Sequence, residues 1–344
     1  MARFLSKQEL VELLQIFPDV DFAFAYGSGV FEQDGYQTRS VTPAELPMLD
    51  LVLGVARSED WHRQNLQRNP GHYSVLGRML GPGGVARLQE TIGARLYYNA
   101  MVPLPVTSHR GRLMKYGLIS LDDLKTDLTD WTWLYVAGRM HKPVRMLRED
   151  AGVMLAAQQN LSSALQAALL LLPGKFSALE LYTAVAGLSY TGDFRMRFGE
   201  NPGKVRNIVS RSLGRVQGLY SHAMRSCPGV CATGHDHENY EQDVSPLARV
   251  ALVQGLPGSL RRLVMGVEGG AGTLMASARA GVAGAGGGDP VPPDAACVAR
   301  ALAAIVAPSS RWQGAKGLLT AGISKSAAYS LAKIGKAVAG RRAK

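Results

Sequence analysis

The chain has 344 residues, of which 47% are hydrophobic and 19% charged, and it carries a formal net charge of +11. That composition describes a globular protein with room for two real cores and excludes a disordered chain. Its three cysteines, Cys227, Cys231 and Cys297, argue against a disulfide framework, and its longest apolar run, Ala164 to Leu172 with Gln166 inside it, is too short to span a bilayer.

The first residues, Met1 to Glu9, mix acids with bases and lead into Leu10-Val-Glu-Leu-Leu, an amphipathic helix pattern. They read as neither a secretory signal nor a transit peptide. Residues 1–150 are expected to be α/β. Strands are predicted over 21–26, 47–55, 95–102 and 113–119, with a helix over Ser58 to Gln67. From about 151 to 265 the pattern turns helical. Helices are predicted over Leu161 to Leu172, Ala178 to Ala186 and Lys204 to Tyr220, which suits a small winged-helix-like domain. Residues 266–294, rich in Gly, Ala and Pro, read as a linker or insertion.

Order resumes at Ala295 to Ala307, and no acidic residue follows Asp294. The stretch 295–344 holds Arg300, Arg311, Lys316, Lys325, Lys333, Lys336, Arg341, Arg342 and Lys344. Ile323, Ala327, Leu331, Ile334 and Val338 share one helical face. A basic amphipathic helix of this kind suits an anionic membrane; the alternative is a helix docked on the protein with its charges solvated. Because the positive charge concentrates there and not around the α/β half, no nucleic-acid partner is expected.

The chemistry is carried near the N-terminus. The strand Phe22-Ala-Phe-Ala-Tyr26 runs into Gly27-Ser28-Gly29, and a second apolar strand carries Asp50 between Leu49 and Leu51. Glycines let backbone approach a triphosphate, a serine hydroxyl can bond a phosphate oxygen, and a carboxylate in an apolar strand is costly unless paired or metal-bound. This layout suits a nucleotidyltransferase, while the turn alone would equally suit an ordinary strand connection. Walker A and dinucleotide fingerprints are both missing. Cys227, Cys231, His235 and His237 have zinc-ligand chemistry at a spacing that matches no common finger, and read as loop residues.

Many separate blocks resemble the Tam-type mitochondrial phosphatidate cytidylyltransferases, the translocator assembly and maintenance proteins. They include Phe24 to Phe31, Met48-Leu-Asp50, Trp61-His62, His72-Tyr73-Ser74, Tyr97-Tyr-Asn99 and Lys115-Tyr-Gly117. Leu134-Tyr135, Ala137-Gly-Arg139, Lys142-Pro143, Gly187 to Met196, Pro308-Ser-Ser310, Lys316-Gly317 and Thr320-Ala-Gly322 continue the likeness. The resemblance implies a nucleotidyltransferase domain, a winged-helix domain and a membrane-binding C-terminal segment. It implies that CTP and phosphatidic acid give CDP-diacylglycerol and pyrophosphate with Mg²⁺, feeding cardiolipin synthesis. It also implies a peripheral enzyme on the matrix face of the mitochondrial inner membrane.

On that resemblance Tyr26, Gly27, Ser28 and Gly29 face the triphosphate, Asp50 holds the metal, and Lys115 is the leading phosphate cation. The alternative for Lys115 is a surface lysine on an edge strand. Arg139 and Lys142 follow as nucleotide-binding cations. Tyr190, Asp193 and Arg195 either close an inter-domain cleft or touch substrate phosphate. His62 and His72 read as hydrogen-bonded structural residues. Membrane contacts are assigned to Lys316, Lys325, Leu331, Lys333, Ile334 and Lys336. The usual second carboxylate is missing, since positions 48 and 52 are Met and Val; Asp122, Asp123 and Asp127 are alternatives, as are the phosphates themselves. An RNA-directed nucleotidyltransferase and a non-catalytic membrane scaffold are the competing functions.

Overall fold

A computed structural model describes residues 4–31, 42, 45–193, 204–233, 238–266 and 294–321. Most of the expected linker, 267–293, lies outside the described residues. The first half is built on a five-stranded mixed sheet of β1 (Phe22–Tyr26), β2 (Leu49–Val55), β3 (Tyr97–Pro103), β4 (Leu113–Ser120) and β5 (Arg145–Arg148), in the order β3-β4-β2-β1-β5. Strands β2 and β4 are parallel and every other pairing is antiparallel. Four of these strands lie where apolar, β-prone runs predicted them. Strand β5 did not announce itself, because Arg145-Met-Leu-Arg148 is short and half-buried at an edge.

Successive side chains on a strand point to opposite faces, so each strand feeds two cores. On one face Leu49, Leu51, Leu53 and Tyr116 pack with Leu10, Leu13, Phe17 and Trp61 from the N-terminal segment and helix Ser58–Arg68. On the other, Phe22, Phe24, Val52 and Ile119 join a core that runs through Trp131 and helix Ala151–Leu171 to Tyr182 and Tyr220. That second core crosses residue 150 without a break.

The second half holds helices Ala151–Leu171, Ala178–Gly187, Lys204–Ser210 and Leu213–Arg225. With them is a small antiparallel sheet, in the order β6-β8-β7, of β6 (Lys175–Ser177), β7 (Val230–Thr233) and β8 (Asn239–Gln242). The expected helix Lys204 to Tyr220 is two helices that meet near Ser212. Helix Ala178–Gly187 starts at a capping box in which Ser177 and Glu180 satisfy each other's backbone N–H.

The C-terminal segment differs most from its sequence reading. Order was expected over Ala295 to Ala307, yet one helix runs on from Ala295 to Ala321 with Pro308 inside it. Its buried face carries Leu302, Ile305 and Val306, then the polar residues Ser309, Gln313, Lys316 and Thr320, spaced three to four residues apart. Gln313 accepts from the Ala94 N–H at 3.2 Å and donates to the Leu96 carbonyl at 2.9 Å. Gly93 sits at φ +65°, and a Cβ there would come within 2.9 Å of the Gln313 amide oxygen. The helix is therefore seated against the start of β3 by side chains that complete the backbone hydrogen bonds of residues 92–96.

Candidate active site

Three strands of the sheet bring the expected residues together. Tyr26 ends β1 and pairs across to Asp50 on β2, which in turn lies in register with Lys115 on β4. The chain then turns sharply through Gly27-Ser28-Gly29, where the N–H groups of Val30 and Phe31 both donate to the Gly27 carbonyl. Gly27 has φ +79°, a left-handed conformation that a side chain would strain, and a Cβ placed there would lie 3.6 Å from the Asp50 carboxylate. Gly29 is required for a different reason: a Cβ would meet the Met48 carbonyl at 2.4 Å. The first glycine keeps the space above Asp50 clear, and the second lets the turn lie against the entry to β2.

Lys115 reaches Asp50 at 3.2 Å, with each side chain about a quarter exposed (22% and 25%). Strand β4 is interior to the sheet, so Lys115 is not an edge-strand lysine. Its ammonium stands 4.6 Å from the centre of the Tyr98 ring, and the Tyr98 and Tyr26 hydroxyls are 3.3 Å apart. The result is a charged pair, walled by two tyrosines, at the open end of a sheet face whose other end carries the Val52 and Ile119 core. An ion pair left this open to water contributes little stability, which frees both groups for a ligand at small cost to the fold.

Arg139 comes to the same wall from the short helix Ala137–Met140. Its guanidinium lies 3.9 Å from the Tyr135 ring centre and 5.5 Å from that of Tyr26, and it donates to the Tyr135 carbonyl. Lys142 donates to the Gly138 carbonyl at 2.5 Å and stands 5.1 Å from the Tyr190 ring. Gly138 packs directly under Ser189, where a Cβ would clash at 2.1 Å, and Gly192 (φ +81°) abuts Ala303 of the C-terminal helix. Asp193 is buried beside this junction. The segment 188–193 thus links the sheet half, the helical half and the C-terminal helix. Arg195 lies outside the described residues.

Two residues hold the site together, one that the sequence reading missed and one that it named for another role. Arg112 is buried and bridges the Pro47 carbonyl (2.9 Å) and the Gly29 carbonyl (2.7 Å), tying the glycine turn to the start of β2. Asp127 is buried and accepts four backbone N–H groups, from Trp133, Tyr135, Val136 and Ala137, at 2.8 to 3.1 Å. It shapes the loop that delivers Tyr135 and Arg139. Asp127 was one alternative for the missing second carboxylate, but its oxygens are committed to the loop. Asp123, another, bonds Ser120 at the start of helix Leu121–Asp130. Both work as local caps, a use of aspartate that sequence pattern does not distinguish from a ligand.

Among the described residues no three His, Cys, Asp or Glu side chains cluster as a metal site. The donor set still fits Mg²⁺, which is held by one or two carboxylates with the remaining positions filled by water and substrate phosphates. Asp50 offers that carboxylate on an open face beside Gly27, where no side chain fills the space. His235 and His237 lie outside the described residues, while Cys227 is buried and Cys231 exposed.

Lys316 was expected at a membrane and is found in the interior instead. It is 2% exposed and donates to the carbonyls of Ile92 at 2.5 Å and Gln89 at 3.4 Å. Burial, with Arg95 nearby, lowers its pKa to about 7, against a smaller opposing pull from Asp123. Lys325, Leu331, Lys333, Ile334 and Lys336 lie outside the described residues.

The opposite face of the same strands carries a closed network. His62 bonds the Tyr73 hydroxyl (2.8 Å) and Gln89 (3.0 Å). The Tyr116 hydroxyl accepts from Asn65 and Asn99, both at 2.9 Å, and lies 3.0 Å from His72 Nδ1. Burial lowers the His62 pKa to about 4, partly offset by its bond to Gln89, so the ring is neutral. His62 and His72 are thus both hydrogen-bonded within the protein, as expected.

A mixed five-stranded sheet with a glycine turn, one carboxylate and several cations on its open face is compatible with the nucleotidyltransferase-like fold. The chain belongs to the mitochondrial phosphatidate cytidylyltransferase family, whose profile it matches over residues 10–336. It is 39% identical to the mitochondrial phosphatidate cytidylyltransferase of Xenopus laevis, over 94% of this chain and 92% of that one. The Danio rerio protein of the same name is 39% identical over 96% and 95%, and that of Drosophila melanogaster 42% over 71% and 75%.

Proposed function

We propose that this protein transfers the cytidylyl group of CTP to phosphatidic acid, forming CDP-diacylglycerol and releasing pyrophosphate. The observation that carries the reading is the Asp50–Lys115 pair on an open sheet face beside the Gly27 turn. The relatives' names state the same reaction for those proteins.

The chemistry asks little covalent work of the protein. The acceptor is a phosphate monoester, ionised near neutral pH, so its oxygen attacks the α-phosphorus without a general base. A new P–O bond forms there as the bond to pyrophosphate breaks. Catalysis then rests on bringing two polyanions together and countering charge at the α-phosphate and leaving group. Lys115 supplies positive charge at the strand centre, and its alternative partner Asp50 is at hand until phosphate arrives. Arg139 and Lys142 add charge from the loop, with Arg139 held in place by stacking on Tyr135. Gly27 leaves room for phosphate oxygens near Asp50. Asp50 would hold Mg²⁺, which when bound neutralises phosphate charge and polarises the P–O bonds.

Finer features complete the proposal. The second half's helices with a three-stranded antiparallel sheet support a winged-helix-like domain. No described helix is long and apolar enough to cross a membrane, and the basic sequence of 322–344 supports peripheral attachment. The relatives' names place them in mitochondria; here the matrix face of the inner membrane is proposed, with the product feeding cardiolipin synthesis.

The deciding experiment uses purified protein, labelled CTP, Mg²⁺ and vesicles containing phosphatidic acid. Labelled CDP-diacylglycerol is the expected product. None under any divalent metal would overturn the reading in favour of a scaffold, and label entering added RNA would transfer it to the RNA-directed alternative.

A further inference from the structure

One exposed apolar face in the first half has no partner among the described residues. The helix Val75–Thr91 is two pieces, divided where Gly81 takes φ +64° and ψ 179° just before Pro82. The first piece begins at Ser74, whose hydroxyl accepts the Gly77 N–H at 3.2 Å. Its inner side presses Gly77 so closely on the Tyr97 hydroxyl that a Cβ would lie 2.7 Å away. Its outer side presents Val75, Leu76, Met79 and Leu80 at 63%, 41%, 79% and 41% exposure. Positions i, i+1, i+4 and i+5 form one continuous helical face. Most of the other exposed large apolar side chains, such as Leu155, Leu247 and Trp312, are spread over separate elements.

Charge identifies the occupant. No acidic residue occurs between Asp60 and Glu90, while Arg78 is exposed within the apolar face's own piece and Arg87 on the next. Glu59, which lies near Gly83, is engaged by Arg63 at 2.6 Å. An apolar helical face set in an acid-free basic stretch matches the interface of an anionic bilayer, where apolar side chains enter the acyl boundary and arginines stay among the headgroups.

We propose that Val75, Leu76, Met79 and Leu80 form a shallow membrane-insertion face that docks the nucleotidyltransferase-like half directly on anionic lipid. This contact is separate from any made by the C-terminal segment, whose described part turns Gln313 and Lys316 inward. It does not depend on the proposed reaction, because binding can be read without CTP or phosphatidic acid.

The test uses the full chain with vesicles of phosphatidylcholine and phosphatidylglycerol. Hydrogen exchange should show protection of residues 74–81 on adding these vesicles, with little change for phosphatidylcholine alone. The double variant Val75→Ser, Met79→Ser should lose about tenfold in partition onto the mixed vesicles with an unchanged melting temperature, since both side chains are exposed. Unprotected 74–81 on vesicle-bound protein, or unchanged partition of the variant, would overturn the proposal. Protection that follows protein concentration without lipid would assign the face to a second copy of the chain instead.

Discussion

The two faces of the central sheet are made by the same strands and behave oppositely. On β4, Lys115 points to the open face and stands beside Asp50, while the next residue, Tyr116, points to the closed face and joins Asn65, Asn99 and His72. On β3, Tyr98 walls the charged site and Tyr97 packs among buried aromatic rings. Polar groups on the closed face are buried and bond mostly to one another, although the Asn99 carbonyl oxygen and the Tyr97 hydroxyl have no partner there among the described residues, so their main contribution is order. Charged groups on the open face are paired weakly and wet, so they can exchange partners when phosphate arrives. Alternation along a strand is enough to separate the two roles.

Four substitutions would break or sharpen this contrast. Asp50→Asn removes the carboxylate that pairs with Lys115; CDP-diacylglycerol formation should fall by about 10³-fold or more, with an unchanged circular dichroism spectrum and melting temperature. A matching loss of fold would mean that the open face is structural after all. Asp127→Ala strips four backbone N–H groups of their acceptor. It should destabilise the protein by about 3 kcal/mol in urea unfolding and also raise the KM for CTP, because Arg139 loses its loop.

Tyr116→Phe deletes the oxygen shared by Asn65, Asn99 and His72. A loss of about 2 kcal/mol in urea unfolding is expected, with the KM for CTP unmoved. A change in KM at constant stability would join the two faces functionally. The smallest effect is a pH dependence at Lys316. Its pKa falls from 10.5 in the unfolded chain to about 7 in the folded one. Between those values the unfolded chain binds more protons, so this group makes stability rise with pH across that window; below about 7 both states are protonated and the charge is buried at full cost. In Lys316→Met the rise in melting temperature from pH 7 to 10 should be shallower than in the parent.

The sheet's interior was legible in the sequence because Phe22 to Tyr26, Leu49 to Val55, Tyr97 to Val102 and Leu113 to Ile119 are apolar or β-prone runs bounded by turn residues. Strand β5 and the three-stranded sheet were not, since strands of three or four residues lean on neighbours more than on their own pattern. The ordered stretch expected over Ala295 to Ala307 ends at Pro308, a residue that removes one hydrogen bond from a helix. The helix passes through it, with Ser309 bonding the Ile305 carbonyl and the surrounding face packed on the body.

By itself the sequence determined the α/β character of the first half, the glycine turn with its lone Asp50, and membership of a family through ordered blocks of residues. These are local, since a strand, a turn and a motif each lie in consecutive positions. Only the tertiary structure decided that Asp50 and Lys115 are neighbours, that Asp127 shapes a loop, and that Lys316 is buried while Met79 is exposed. Partnership between residues far apart in the chain is set by strand register, and burial by what packs on top. A linear pattern encodes neither.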